Sequence, residues 1–236
     1  MIFHFTEVPP LDTIAIGFVT AQYAYACKNG RMVIYGNAAP RRDTEKAKKD
    51  NRDNGIFYAK LRNGVEIINV YSEYAFGFVK SDIIEFREVI CPDSGSQFRS
   101  RDFFPEKIAH IIEQDYSVLG KNIDINSIPE IPNNLVAWID GFGNIKTTMR
   151  KSDLEKMGLK DGDKVIVTLN EISTEGIIAT GGFAVDKGQL AINIGSSGFD
   201  NPFIELFLRV HSMKEKTAAE VFNHPLGGVP FDIKKI

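Results

Sequence analysis

The chain has 236 residues, 43% of them hydrophobic and 25% charged, with a net charge of −3. That length admits two medium domains, and so small a net charge excludes the strongly basic face of a nucleic-acid or membrane-surface binder. No apolar run reaches the roughly 20 residues of a membrane helix, and the opening MIFHFTEVPP lacks the basic-then-apolar order of a secretory leader, so a cytoplasmic protein is expected.

Met1 to Phe5 is apolar and short enough for a strand. After Pro9 and Pro10, Asp12 is placed to cap a helix that carries Ile14, Phe18, Ala21, Gln22 and Tyr25 at helical spacing. Residues 31–35, RMVIY, form a β-type run that stops at Gly36, and the charged stretch from Arg41 to Asn54 reads as a surface loop or frayed helix. Ile56 to Leu61 and Val65 to Tyr71 flank Asn63-Gly64, which predicts a hairpin with a two-residue turn. Asp102 and Pro105 suit a helix start, followed by an apolar stripe of Phe104, Ile108, Ile111 and Ile112.

Gly120, Pro129 and Pro132 interrupt a segment without periodicity, and beyond it strand-like runs occupy 134–140, 163–170, 177–180, 190–194 and 203–210. Ser152 and Glu155 are spaced as a capping box for one short helix among them. The predicted architecture is an α/β amino-terminal domain over 1–120, with a central sheet and flanking helices. A linker over 121–133 leads to a smaller, mostly β domain over 134–236, a barrel or a sandwich. Cys27 and Cys91 are expected as free buried thiols, and His4, His110, His211 and His224 are too scattered for a zinc site.

Four stretches carry candidate chemistry. YGNAAPRR (35–42) follows a strand end, where open α/β folds place ligands, with Arg41 and Arg42 supplying positive field; the alternative is a plain turn into a solvated charge run. QFRSRDFFP (97–105) precedes a helix whose free N–H groups suit an anion near Ser100, or else Asp102 only caps that helix. WIDGFGNIKTTM (138–149) brings an acid, a ring and an amide together at Asp140, Phe142 and Asn144. Such a set suits an amino-acid-bearing nucleoside, or else forms a capped hairpin. GSSGFDNPFIELFLR (195–209) joins a Gly/Ser turn to an apolar strand and is suited to the edge of a purine.

Taken in order, VPPLDTIAIGFVTAQYAY (8–25), RDFFPEKIAHI (101–111), WIDGFGNIKTTM and SSGFDNPFIEL (196–206) resemble the family of S-adenosylmethionine-dependent chlorinases, fluorinases and S-adenosylmethionine hydrolases, also called hydroxide adenosyltransferases. The likeness spans nearly the whole chain, with DNP inserted in its last run. It implies an α/β domain followed by a smaller β domain, a homotrimer, and a small-molecule nucleoside substrate. S-adenosylmethionine enters as substrate, with no metal, no nucleic acid and no membrane. A nucleophile would attack ribose C5′ and methionine would leave as a thioether, the protein aligning the partners and stripping water from a small anion.

The resemblance places Asp140 near the methionine ammonium, Phe142 and Asn144 along the adenosine, and Ser196, Ser197 and Arg209 around the base and carboxylate. Where the hydrolases carry an Asp, an Arg and a His around the attacking water, this sequence has Tyr35, Arg42 and Arg99. The halogenase branch is matched there by Tyr35, Phe98 and Ser100, although a Thr of the fluorinases corresponds to Ala38. The family's opening strand, whose acid holds the ribose diol, precedes the part matched here, so Glu7 or Asp12 is the expected substitute. Thr147-Thr148 stands where the family more often has Thr-Asn. A non-catalytic protein that binds S-adenosylmethionine or adenosine is the alternative reading.

Overall fold

A computed structural model describes residues 2–27, 30–38, 55–92, 96, 98–198, 200–210, 212 and 214–236. The fold is mixed α/β with one five-stranded and one seven-stranded sheet. The chain divides into two compact units, Met1–Glu130 and Ile131–Ile236, and the division falls inside the stretch 121–133.

In the first unit Asp12 caps α1 (Thr13–Ala26) by accepting from the backbone N–H of Ile14 and Ala15. Ten of the fourteen residues of α1 are buried, so the helix is covered nearly all round rather than along one stripe; Gln22 and Tyr25 lie at its half-buried margin. The sheet order is β1 (Val33–Gly36), β3 (Glu66–Val70), β2 (Ile56–Leu61), β4 (Ile83–Val89), β5 (Leu119–Asn122). β1 pairs parallel to β3, and β2 runs antiparallel to both β3 and β4. The carboxyl ends of β1, β3 and β4 therefore share one edge. Ile56, Tyr58 and Ile68 pack with Phe104 and Ile111 of the helix Phe104–Ile112.

Several expectations are corrected here. Residues 2–5 form no strand: they pair with neither edge of the described sheet, and Ile2, Phe3 and Phe5 are exposed. The hairpin loop has three residues rather than two: Leu61 N donates to Val65 O, Gly64 N donates to Leu61 O, and Gly64 alone takes a left-handed φ of +86°. Asn63 is drawn out of a primed turn because its Oδ1 accepts from Val65 N and its amide donates to Ala24 O. Asp102 caps nothing. It ends a four-residue turn, Arg99–Asp102, and its carboxylate is held by the Arg101 guanidinium at 2.5 and 2.9 Å. Neither cysteine forms a disulfide, and both are half-buried rather than buried. The charged stretch 41–54 and His211 lie outside the described residues.

The second unit is built on strands in the order β12 (Phe231–Lys235), β8 (Lys164–Leu169), β9 (Ile172–Ala179), β10 (Leu190–Ile194), β11 (Phe203–Leu208), β7 (Ile145–Arg150), β6 (Val136–Ile139). A bridge from Leu135 to Pro230, with Val136 N bonded to Val229 O and Gly228 N to Val136 O, joins the two outer edges and closes the sheet into a barrel. Its core holds Val136, Ile145, Val165, Val167, Ile192, Ile204, Leu206 and Phe222. The expected capping box of Ser152 and Glu155 is displaced. The helix Lys151–Lys156 starts earlier, with Asp153 accepting from Arg150 N, while Ser152 exchanges two hydrogen bonds with Asn201.

Candidate functional site

Two groups of side chains answer to the sequence reading, one in each unit. In the first, Tyr35 precedes the last residue of β1 and Cys91 follows β4, so both lie on the edge where the parallel strands end. Burial, and after it the Cys91 sulfur, pushes the Tyr35 phenol from its ordinary 10 up to about 12. Burial also raises the Cys91 thiol, against the pull of the Arg99 guanidinium. Arg99 Nη1 donates to Pro92 O, its guanidinium lies 5.4 Å from the Phe103 ring centre and 5.9 Å from that of Phe104, and its Nε is buried without a partner. The structure thus brings Tyr35, Cys91 and Arg99 together. Phe98 and Ser100 are exposed, with Arg101 stacked at 4.8 Å on Phe98. Arg42 lies outside the described residues.

A cavity of about 620 Å³ opens beside this group, between residues 2–8, α1 and β1, lined by Thr20, Tyr23, Arg31, Val33 and Tyr35 among others. Such a volume is ordinary for a small-molecule site. At the carboxyl end of β3, Asn69 donates to Ala75 O, while its Oδ1 and the Ser72 hydroxyl are buried without a partner. Sequence reasoning missed these two, because a lone Asn in an apolar strand and a Ser just past its end look like ordinary substitutions. Asp12, one of the acids expected to stand in at the ribose, is committed to its helix cap.

In the second unit, Asp140, Phe142 and Asn144 occupy the turn between β6 and β7, the capped hairpin. Asp140 N donates to Asn144 O, Gly143 N donates to Asp140 O, and Gly143 has φ +76°, the same loop as that of residues 61–65. Asp140 Oδ1 accepts from Phe142 N at 2.9 Å and Asn144 N at 3.0 Å, and Oδ2 accepts from Asn144 Nδ2 at 3.1 Å and Lys146 Nζ at 3.2 Å. The turn is therefore fixed by its own acid, and it holds the Phe142 ring out at 82% exposure. Lys146 also meets Glu205 Oε2 at 2.7 Å, and the side chains of all three charged residues are at most 15% exposed.

Register decides what else reaches this turn. Leu206 pairs with Ile145 and Phe203 with Arg150, so Arg209, just past β11, lies towards the turn, whereas Ser196 and Ser197, in the loop from β10 to β11, lie towards the far end. Arg209 Nη1 is bonded to Val185 O at 2.5 Å, and its Nε is buried without a partner. Lys146 and Glu205 were missed in the sequence because neither segment alone marks its charge as paired; they meet only because they fall at matching positions of neighbouring strands. Among the described residues no group of three or more His, Cys, Asp or Glu side chains is arranged to hold a metal, and no helix is long and apolar enough to cross a membrane.

No family model matches the chain. No curated protein matches it either. Among solved structures it is similar to an uncharacterized conserved protein from Thermotoga maritima, with a TM-score of 0.69 and 18% identity over 96% of this chain and 86% of that one. It is similar also to a conserved hypothetical protein from Thermus thermophilus, with a TM-score of 0.63 and 15% identity over 96% of this chain and 84% of that one. These likenesses show the fold.

Proposed function

We propose that the chain is an S-adenosylmethionine-binding enzyme in which water, hydroxide or a halide attacks ribose C5′, releasing methionine and adenosine or a 5′-halo-adenosine. The observation that supports it is the Phe142 ring, 82% exposed on a turn whose backbone is pinned by Asp140. An exposed ring on a rigid mount is suited to stacking a purine, since little conformational freedom is lost when the base arrives. Tyr35, Arg42, Phe98, Arg99 and Ser100 are assigned to the nucleophile, and Asp140, Phe142, Asn144 and Arg209 to the nucleoside; Ser196 and Ser197, at the far end of the strands, are left out of the site. An α/β domain joined through 121–133 to a smaller β domain, assembled as a homotrimer, belongs to the same proposal.

Incubation with S-adenosylmethionine and chloride, bromide, fluoride or no added halide tests it. Released methionine with the matching 5′-substituted adenosine is the expected result, and no methionine under any condition removes the enzyme. A second reading, binding of S-adenosylmethionine or adenosine without turnover, is favoured by Asp140 already being engaged by Lys146. Calorimetric binding without methionine release distinguishes it.

A further inference from the structure

An ionised carboxylate offers roughly four acceptor positions, and the four donors on Asp140 use them all. Three come from the turn itself, two of them backbone N–H groups and the third the Asn144 side-chain amide. The fourth is the ammonium of Lys146, which Glu205 holds from the other side at 2.7 Å. Lys146 pairs in register with Trp138 of β6 and Glu205 of β11, so its position is set by the sheet and not by a flexible surface stem. At 9% exposure it sits where solvent screening is weak and the two carboxylates act on it at short range. Room for this arrangement comes from Gly195, where a Cβ would collide with Glu205 Oε1.

We infer that Lys146 is an internal ammonium occupying the place on Asp140 that a ligand's α-ammonium would take, so that the site recognises the adenosine moiety and gains nothing from an amino-acid tail. This rests on the second reading given above, binding of an adenosine compound without turnover, and narrows it. The ligand class is adenosine and 5′-substituted adenosines without a cationic tail, bound at least as tightly as S-adenosylmethionine. A ligand ammonium approaching Asp140 finds no free acceptor there, and it meets the like charge of Lys146.

Calorimetry on the full chain with adenosine, S-adenosylmethionine and methionine tests this in the wild type, K146M and K146M/E205Q. The double variant removes one charge of each sign, which keeps the cluster balanced should K146M alone fold poorly. In the wild type, adenosine should bind at least as tightly as S-adenosylmethionine. In the variants, S-adenosylmethionine should gain roughly tenfold over adenosine, about the worth of one charge-assisted hydrogen bond, and K146R should keep the wild-type order. A wild-type preference for S-adenosylmethionine that the variants leave unchanged or weaken overturns the inference while leaving the nucleoside reading standing. Failure of every adenosine compound to bind any of the proteins removes the nucleoside reading, and this inference with it.

Discussion

Replacing Glu66 by Ala should be among the most costly single changes in the first unit. Its carboxylate is 2% exposed; Oε1 accepts from the Tyr58 hydroxyl at 2.9 Å and the Tyr116 hydroxyl at 2.8 Å, and Oε2 accepts from Arg31 Nε at 2.7 Å. Tyr58 is 1% exposed, so its hydroxyl would be left buried without a partner, at about 1–3 kcal/mol. Tyr116 is half-buried and can turn to water. Arg31 is a third exposed and keeps its bonds to the carbonyls of Ile111 and Ile112, so its loss is discounted towards the surface-pair range of about 0–1 kcal/mol. The sum is about 3 kcal/mol, at the lower end for breaking a buried charged pair.

The assay uses the chromophores. All seven tyrosines precede residue 131 and Trp138 is the sole tryptophan, so tyrosine absorbance follows the first unit and tryptophan fluorescence the second during urea unfolding. E66A should lower the tyrosine-monitored midpoint and leave the tryptophan signal less affected. Y58F should cost about 1 kcal/mol in the wild type but recover about 1–3 kcal/mol in E66A, because there it removes the hydroxyl left buried without a partner. A loss under about 1 kcal/mol in E66A, or strict additivity of the two changes, refutes the reasoning.

Three further outcomes are expected. Ala at Gly143 must adopt φ +76° with its Cβ 2.5 Å from Thr217, and should cost about 2 kcal/mol or more by tryptophan fluorescence, whereas Ala at Gly64, with open space around it, should cost about 1. Because the folded chain raises the Tyr35 phenol to about 12, the stability it lends is whole below pH 10 and lost as pH rises through 12, with an absorbance titration step near 12 that Y35F removes. The Ser117 hydroxyl and N–H, and after them His110, hold the Asp115 carboxyl down to about 2, so its contribution is present above pH 4 and lost as pH falls through 2; carboxyl NMR titration reads this directly.

Local chemistry was the legible part. The Asp12 cap, β2 against β3, and β8, β10 and β11 follow from capping residues and apolar runs that the tertiary structure does not override. β4, β7 and β12 escaped notice because IIEFREV, IKTTMR and FDIKK alternate apolar with charged residues, which resembles a surface segment until a neighbouring strand is known. The candidate site was legible in its turn, where Asp, Gly and Asn leave a local signature. It was illegible where it depends on pairing: Lys146 and Glu205 lie 59 positions apart and meet only through the register of β7 and β11. The same register separates Ser196 and Ser197 from Phe142, which contiguous motifs cannot reveal.

The reciprocal bonds between Ser152 and Asn201, with Arg150 reaching Asn201 O at 2.8 Å, moor the Asp200-Asn201-Pro202 step to a neighbouring helix start. A connecting loop is thereby converted from slack into a strut. Shortening that loop would cast off its mooring, so the shape of the Ser196–Ser197 corner is governed from a helix with which it shares no stretch of sequence.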